Sequence, residues 1–131
     1  MTHAVTGWGY EGHTIEDLLD ECERLRAAYV VDIRLNAISR KKGFSKTALS
    51  NALAGAGVEY VHLRALGNPK DNRPGFAHPG TPEADRQLGE LAELTRRGNV
   101  IILCFEETPK CCHRHLVIQR LQAREKTVAF V

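Results

Sequence analysis

The stretch Val100-Ile101-Ile102-Leu103-Cys104-Phe105 is apolar without interruption. Continuous apolar character of this length is typical of a strand that is buried on both faces of a parallel sheet. A helical pattern that ends at Gly98 precedes the stretch, and Thr108 with Pro109 opens another helix after it. A strand between two helices is the repeating unit of a parallel α/β fold.

The same alternation of strands and helices extends outward in both directions. Strands are predicted at residues 3–8, 29–33, 58–63, 100–105 and 128–131, and the first three helices are predicted to begin at Thr14, Ser45 and Thr81-Pro82. We therefore expect a single Rossmann-like α/β domain over residues 1–131, with three layers and a mainly parallel five-stranded sheet. Right-handed crossovers and two helical layers favour the strand order 3-2-1-4-5. An irregular loop is predicted over residues 67–81, and loops of this length are often lids or binding loops.

Composition excludes several classes of protein. The 131 residues suit one domain, and 43% hydrophobic with 26% charged residues is an ordinary globular composition. No apolar run approaches the ~20 residues that span a bilayer, and the first residues do not resemble a signal peptide. We therefore expect a cytoplasmic protein with no membrane partner and with its 4 cysteines reduced. A net charge of +2 is too small to indicate general nucleic-acid binding.

The ends of the predicted strands carry charged side chains. Ligands of open α/β sheets bind outside the carboxyl ends of the strands, at the point where the strand order reverses. That rule selects Glu11, Asp32 and Glu106 as candidate catalytic carboxylates, with Arg34 among them as an anion-binding residue. Carboxylates that share a pocket push their pKa values apart, which suits cleavage of a glycosidic bond. The alternative is a structural Asp32–Arg34 network and a Glu11 that caps a helix.

The start of the last helix is rich in reactive side chains. Cys112 falls in the first helical turn, where the helix dipole and Arg114 lower the pKa of a thiol, or together bind a phosphate. Cys112 and His113 are therefore candidate catalytic residues, and Arg114 is a candidate anion-binding residue. Cys104, Cys112 and His113 are also zinc-ligand types, but without a Cys-x-x-Cys pair metal remains the weaker alternative, and no cofactor is predicted. Inward packing of Cys112 and His113 is the remaining interpretation.

Two further features suggest a nucleotide-like ligand. The segment 39–44 contains Arg40, Lys41 and Lys42, which are predicted to surround a phosphate or a nucleic-acid backbone, although such runs are usually simply exposed. Tyr10 follows the first strand and is predicted to stack on a base, with packing as the alternative.

These motifs match a known family. They are Gly9-Tyr10-Glu11-Gly12, Asp32-Ile33-Arg34, Ser39-Arg40 with Gly43-Phe44-Ser45, Gly57 with Tyr60 and His62, Leu66-Gly67, and Cys104-x-Glu106 with Cys112-His113-Arg114. Together they resemble the domain of unknown function 488 family over nearly the whole chain. The resemblance implies a small Rossmann-like domain of the bacterial and archaeal cytoplasm, and it brings no established reaction.

The chain departs from the family pattern at two places. Leu35-Asn36-Ala37 stands where the family commonly has a proline, and Cys111 is an addition beside the family cysteine, which leaves Cys111 without an implied role.

Three functions follow as hypotheses. The first is an enzyme, a hydrolase or transferase, that acts on a small anionic ligand such as a nucleotide, nucleoside or base. The second is thiol or metal chemistry at Cys104, Cys112 and His113. The third is a non-catalytic module that binds nucleic acid or acts as a regulatory accessory. No oligomeric state is predicted.

Overall fold

Strands and helices alternate along the chain. The computed structural model describes residues 3–34, 41–66, 82–104, 112–125 and 129–130, and of residues 112–116 it describes only the backbone. The strands are β1 (Ala4–Gly9), β2 (Ala27–Asp32), β3 (Glu59–His62), β4 (Asn99–Cys104) and β5 (Ala129–Phe130). The helices are α1 (Ile15–Leu25), α2 (Lys46–Gly55), α3 (Pro82–Arg97) and α4 (Cys112–Arg124), with one 3-10 turn at Arg64–Leu66. The predicted loop over residues 67–81 lies outside the described residues.

The strands form one parallel sheet in the order β3-β2-β4-β1-β5. The predicted parallel α/β fold is confirmed, but the predicted order 3-2-1-4-5 is wrong because β1 and β4 have exchanged places. Both orders allow right-handed crossovers and the same helix layers, so topology rules do not distinguish them. Burial does: residues 100–104 of β4 are completely buried, whereas residues 6–8 of β1 are only half-buried. The most apolar strand therefore occupies the centre of the sheet.

The helices cover both faces of the sheet. On one face, α1 and α2 pack over side chains of β2 and β4, forming a cluster that contains Leu18, Leu49, Leu53, Val30, Ile101 and Leu103. On the other face, α3 and α4 pack over the alternate side chains, forming a cluster that contains Leu88, Leu91, Val117, Leu121, Val31 and Ile102. Each fully buried Leu or Val contributes about 1.5–3 kcal/mol relative to exposure, so both faces of the sheet are needed for stability. The predicted three layers are confirmed.

The turn between β1 and α1 is fixed by a capping box. The Thr14 hydroxyl accepts from the Asp17 N–H at 3.1 Å, and the Asp17 carboxylate accepts from the Thr14 N–H at 2.9 Å. The backbone hydrogen bond from Thr14 is the main reason that the pKa of Asp17 lies below its ordinary value. Thr14 is thus the N-cap that the sequence predicted, and Glu11 does not take that position.

None of the helices in the described ranges is long and apolar enough to cross a membrane.

Candidate functional site

The carboxyl ends of β3, β2, β4 and β1 lie side by side along one edge of the sheet. Asp32 ends β2 and is in register with Leu103 of β4 on one side and with His62 of β3 on the other. Side chains alternate between the faces of a strand, so Asp32 lies on the same face as Val30, which is the face covered by α1 and α2. The site is therefore built on that face.

Asp32 and Arg34 form an ion pair that is almost sealed from solvent. Arg34 donates from Nε to Asp32 Oδ1 at 2.8 Å and from Nη2 to Oδ2 at 2.6 Å, and its backbone N–H donates to Oδ1 at 3.0 Å. Asp32 is 0% exposed and Arg34 is 7% exposed. Burial alone would lower the pKa of Arg34, but the hydrogen bonds and charge of Asp32 outweigh it, so the net pKa is raised and the guanidinium stays charged.

Two further residues complete this network. The Tyr60 hydroxyl donates to Asp32 Oδ2 at 2.6 Å, and Arg34 Nη1 donates to the backbone carbonyl of Phe44 at 2.6 Å. Each oxygen of Asp32 therefore accepts two hydrogen bonds. Burial, together with the bond to Asp32, raises the pKa of Tyr60, so its phenol remains protonated at neutral pH. The geometry makes Asp32 a group that holds Arg34 and Tyr60 in place.

Aromatic rings pack beside the ion pair. The ring of Tyr10 stacks on Phe44 with 4.7 Å between centroids, and the Arg34 guanidinium carbon lies 5.3 Å from the Tyr10 centroid. Tyr10 is only 4% exposed, so its ring is packed in the structure, and stacking of Tyr10 on a base stays a prediction. Trp8 extends the cluster, with centroids 6.2 Å from Phe44 and 5.0 Å from His13.

His62 lies next to the ion pair, at the end of β3. Its Nε2 is 2.6 Å from the backbone carbonyl oxygen of Arg34, and its side chain is half-buried. The Leu63 N–H bonds to the Asp32 carbonyl at 2.9 Å, so the chain remains paired to β2 just beyond His62. His62 is thus attached to the same framework as Asp32 and Arg34.

The remaining charged groups at this edge are more open. Glu11 is exposed in the turn after β1, and within the described part of the chain its carboxylate has no recorded hydrogen bond or ion pair. Lys41 and Lys42 line a cavity of about 300 Å³ together with the first residues of α1, Thr14, Ile15 and Glu16. Two lysine side chains and a helix N-terminus, which attract anions, lie on the walls of this cavity together with the carboxylate of Glu16.

The predicted thiol and metal residues are placed only in part. Cys104 is completely buried among the apolar side chains under α3 and α4, on the opposite face from Asp32. The described part of α4 begins at Cys112, whereas the predicted start at Thr108-Pro109 lies outside the described residues, as do Arg40 and Glu106. The side chains of Cys112, His113 and Arg114 are not described either. Among the described residues, no group of three or more His, Cys, Asp or Glu side chains could hold a metal ion.

Sequence reasoning assigned no separate role to Phe44, Tyr60 or His62, although the family motifs include all three. The backbone carbonyl of Phe44 and the Tyr60 hydroxyl bond to Arg34 and Asp32, and His62 bonds to the Arg34 carbonyl. A sequence signal for two of them exists. Tyr60 and His62 are two residues apart in the strand that follows β2, and this spacing puts both side chains on one face of the sheet. The position of Phe44 carries no such signal, because it depends on the path of the loop before α2.

Comparison with known proteins supports the family and nothing more specific. The family model described as "Domain of unknown function DUF488" matches residues 14–121. Neither the curated proteins nor the solved structures compared with the chain gave a match. The matched range runs from the N-cap of α1 into α4 and includes every residue of the Asp32 network described above. The chain therefore belongs to the DUF488 family.

Proposed function

We propose that the chain is a small enzyme that acts on a nucleotide-, nucleoside- or base-like anionic substrate at the carboxyl edge of the sheet. The observation that carries the proposal is the buried Asp32–Arg34 ion pair at the end of β2. Burial of two charges costs several kcal/mol in desolvation for each ion, and the pairing often does no more than offset it. Charged groups held in that way at the ligand-binding edge of an α/β sheet are characteristic of functional sites.

Arg34 acts as the rigid donor at the base of the site. A guanidinium has five N–H donors, and three of those in Arg34 bond to Asp32 and to the Phe44 carbonyl. The hydroxyl of Tyr10 lies close enough to contribute to the raised pKa of Arg34, and it occupies part of the remaining N–H donors of the guanidinium. The guanidinium is therefore oriented before a substrate arrives, which lowers the entropic cost of binding.

The open groups at the same edge supply the contacts with substrate. Lys41 and Lys42, on the wall of the 300 Å³ cavity, bind the anionic group of the substrate. The exposed Glu11 carboxylate stabilises positive charge that develops when a glycosidic bond breaks. Hydrolysis of a bond between a sugar and a base is therefore the reaction that we propose. Glu106, Arg40, Arg114, Cys112 and His113 stay predicted participants.

The test is release of free base from a panel of purine and pyrimidine nucleosides and nucleoside monophosphates, followed by liquid chromatography and mass spectrometry. Glu11→Gln removes the charge of an exposed residue, and Asp20→Asn is its matched control because Asp20 is exposed on α1, away from this edge. We expect turnover by the wild type and by Asp20→Asn, and a loss of roughly 100-fold or more in Glu11→Gln at unchanged thermal stability. Absence of turnover by the wild type across the panel, or full turnover by Glu11→Gln, would refute the proposal.

The binding contribution of the lysines is tested separately. Lys42→Ala should raise KM for nucleoside monophosphates more than for the matching nucleosides, because only the former carry the phosphate. Arg97→Ala, which removes an exposed cation from α3 on the other side of the sheet, should change neither KM.

A further inference from the structure

The contact between His62 and Arg34 fixes which ring nitrogen of His62 carries a hydrogen. His62 Nε2 lies 2.6 Å from the backbone carbonyl oxygen of Arg34. A carbonyl oxygen only accepts hydrogen bonds, so Nε2 must be the donor. In the neutral ring the lone pair is consequently on Nδ1, and Nδ1 is the atom at which His62 gains or loses a proton.

The carbonyl that holds His62 is itself held. Asp32 accepts from the backbone N–H of Arg34 at 3.0 Å and grips the guanidinium of the same residue through two further bonds. The backbone of Asp32 in turn accepts from Leu63, the residue after His62. A buried carboxylate thus orients a histidine through one intervening residue. A hydrogen bond that fixes the tautomer and direction of an imidazole is the usual arrangement where histidine transfers protons.

The other titratable groups of this cluster are unsuited to proton transfer. Asp32 has no exposed surface, and both of its oxygens are occupied by donors. Tyr60 donates its hydroxyl hydrogen to Asp32, and the raised pKa of the phenol keeps that hydrogen in place at neutral pH. Arg34 stays charged. His62 combines partial exposure with a ring nitrogen that the contact with Arg34 leaves unprotonated.

We propose that His62 is the acid–base residue of this site and that Nδ1 is its reacting atom, a proposal that rests on the hydrolytic function proposed above. As the bond between the sugar carbon and the base breaks, its electron pair leaves on the base, the water oxygen bonds to that carbon, and Nδ1 accepts a proton from the water. The imidazolium then returns the proton to the base. Asp32 acts through His62 as a positioning residue, and the backbone carbonyl of Arg34 holds the ring.

His62→Gln is the decisive variant, because a glutamine amide N–H can still donate to the Arg34 carbonyl but cannot accept and return a proton. We expect its turnover of the nucleoside panel to fall by roughly 100-fold or more with KM nearly unchanged. His3→Gln is the matched control, since His3 precedes β1 at the opposite edge of the sheet; it should keep wild-type turnover. Full turnover by His62→Gln, in a preparation where the wild type is active and Glu11→Gln is not, would overturn the role of His62 and leave the proposed function standing.

A second measurement tests the geometry without any substrate. Two-bond ¹H–¹⁵N NMR spectra of the labelled protein distinguish the two neutral tautomers of histidine, and the His62 signals are assigned by their loss in His62→Gln. We expect the Nε2–H form. A predominant Nδ1–H form would overturn the proposal even if the protein proves to be a hydrolase. Absence of wild-type turnover on the whole panel would instead remove the proposed function, and the catalytic role of His62 with it.

Discussion

Substitution of Asp32 by asparagine tests the buried ion pair directly. Asparagine keeps an oxygen at the position of Oδ1, so the Arg34 N–H and Nε bonds at 3.0 and 2.8 Å can persist. At the position of Oδ2 it places an amide donor against Arg34 Nη2, which donates to that oxygen at 2.6 Å in the wild type. The Tyr60 hydroxyl can pair with the amide only by turning from donor to acceptor. The variant therefore loses the bond from Arg34 Nη2 and leaves a guanidinium that is 7% exposed without its counter-charge.

Removal of one partner of a buried pair costs about 3–5 kcal/mol. Domains are typically stable by about 5–15 kcal/mol, so Asp32→Asn should lose a large part of the free energy of unfolding and about 10–20 °C in Tm. Tyr60→Phe removes one of the four bonds to the carboxylate and should cost only about 1–2 kcal/mol. Urea unfolding at pH 7, followed by circular dichroism, measures all three proteins.

Asp20→Asn is again the control, because a substitution at an exposed site away from any network changes stability by about 0.5 kcal/mol or less. If Asp32→Asn proved as stable as Asp20→Asn, within about 1 kcal/mol, the ion pair would contribute nothing to the fold. The assignment of Asp32 as the group that positions Arg34 and His62 would then be wrong.

Two further predictions concern residues away from the site. A Cβ on Gly98 would overlap the Cβ of Ala28, so Gly98→Ala should lower the free energy of unfolding by about 1–3 kcal/mol. A Cβ on Gly55 meets nothing within 4 Å, so Gly55→Ala should be neutral or slightly stabilising. Equal urea midpoints for the two variants would contradict this. Burial, with a smaller effect of the neighbouring Glu21, raises the pKa of Cys22 from an ordinary 9.0 to about 11. The pKa of Cys22 is higher in the folded protein than in the unfolded chain. The thiol therefore contributes about 2–3 kcal/mol to the free energy of unfolding below pH 9, and this contribution is lost as the pH rises towards 11. Cys22→Ala should therefore show a flatter decline in unfolding free energy over that range, and parallel pH curves would refute the assignment.

The local part of the site was predictable from sequence because it depends on short-range geometry. Asp32 and Arg34 are two residues apart at the end of a strand, and residues at that spacing lie on the same face of extended backbone. Their pairing is thus a consequence of strand period. Thr14 as N-cap is a similar case, since the side chain and the N–H that it caps are three residues apart.

The non-local part was not predictable, for an equally physical reason. Tyr60 reaches Asp32 because β3 pairs with β2 in one particular register, and a shift by one residue would turn Tyr60 to the other face. The Phe44 carbonyl meets Arg34 because of the loop before α2, whose path no period or propensity specifies. The position of Phe44 also bears on Tyr10, because the two rings stack on each other.

The error in strand order bears on the site less than it would appear. In a parallel sheet every carboxyl end lies at the same edge whatever the order, so a rule based on strand ends survives an exchange of two strands. The exchange changes distances instead: with β4 between them, β1 and β2 are two strand spacings apart, about 9–10 Å. Only long side chains bridge that gap, as Tyr10 and Arg34 do. The backbones at both strand ends are instead paired to β4: the Tyr10 N–H bonds to the Cys104 carbonyl and the Ile33 N–H to the Leu103 carbonyl. Asp32 at the end of β2 is therefore separated by a whole strand from the turn after β1, and all four hydrogen bonds to its carboxylate that the structure describes come from Arg34 and Tyr60.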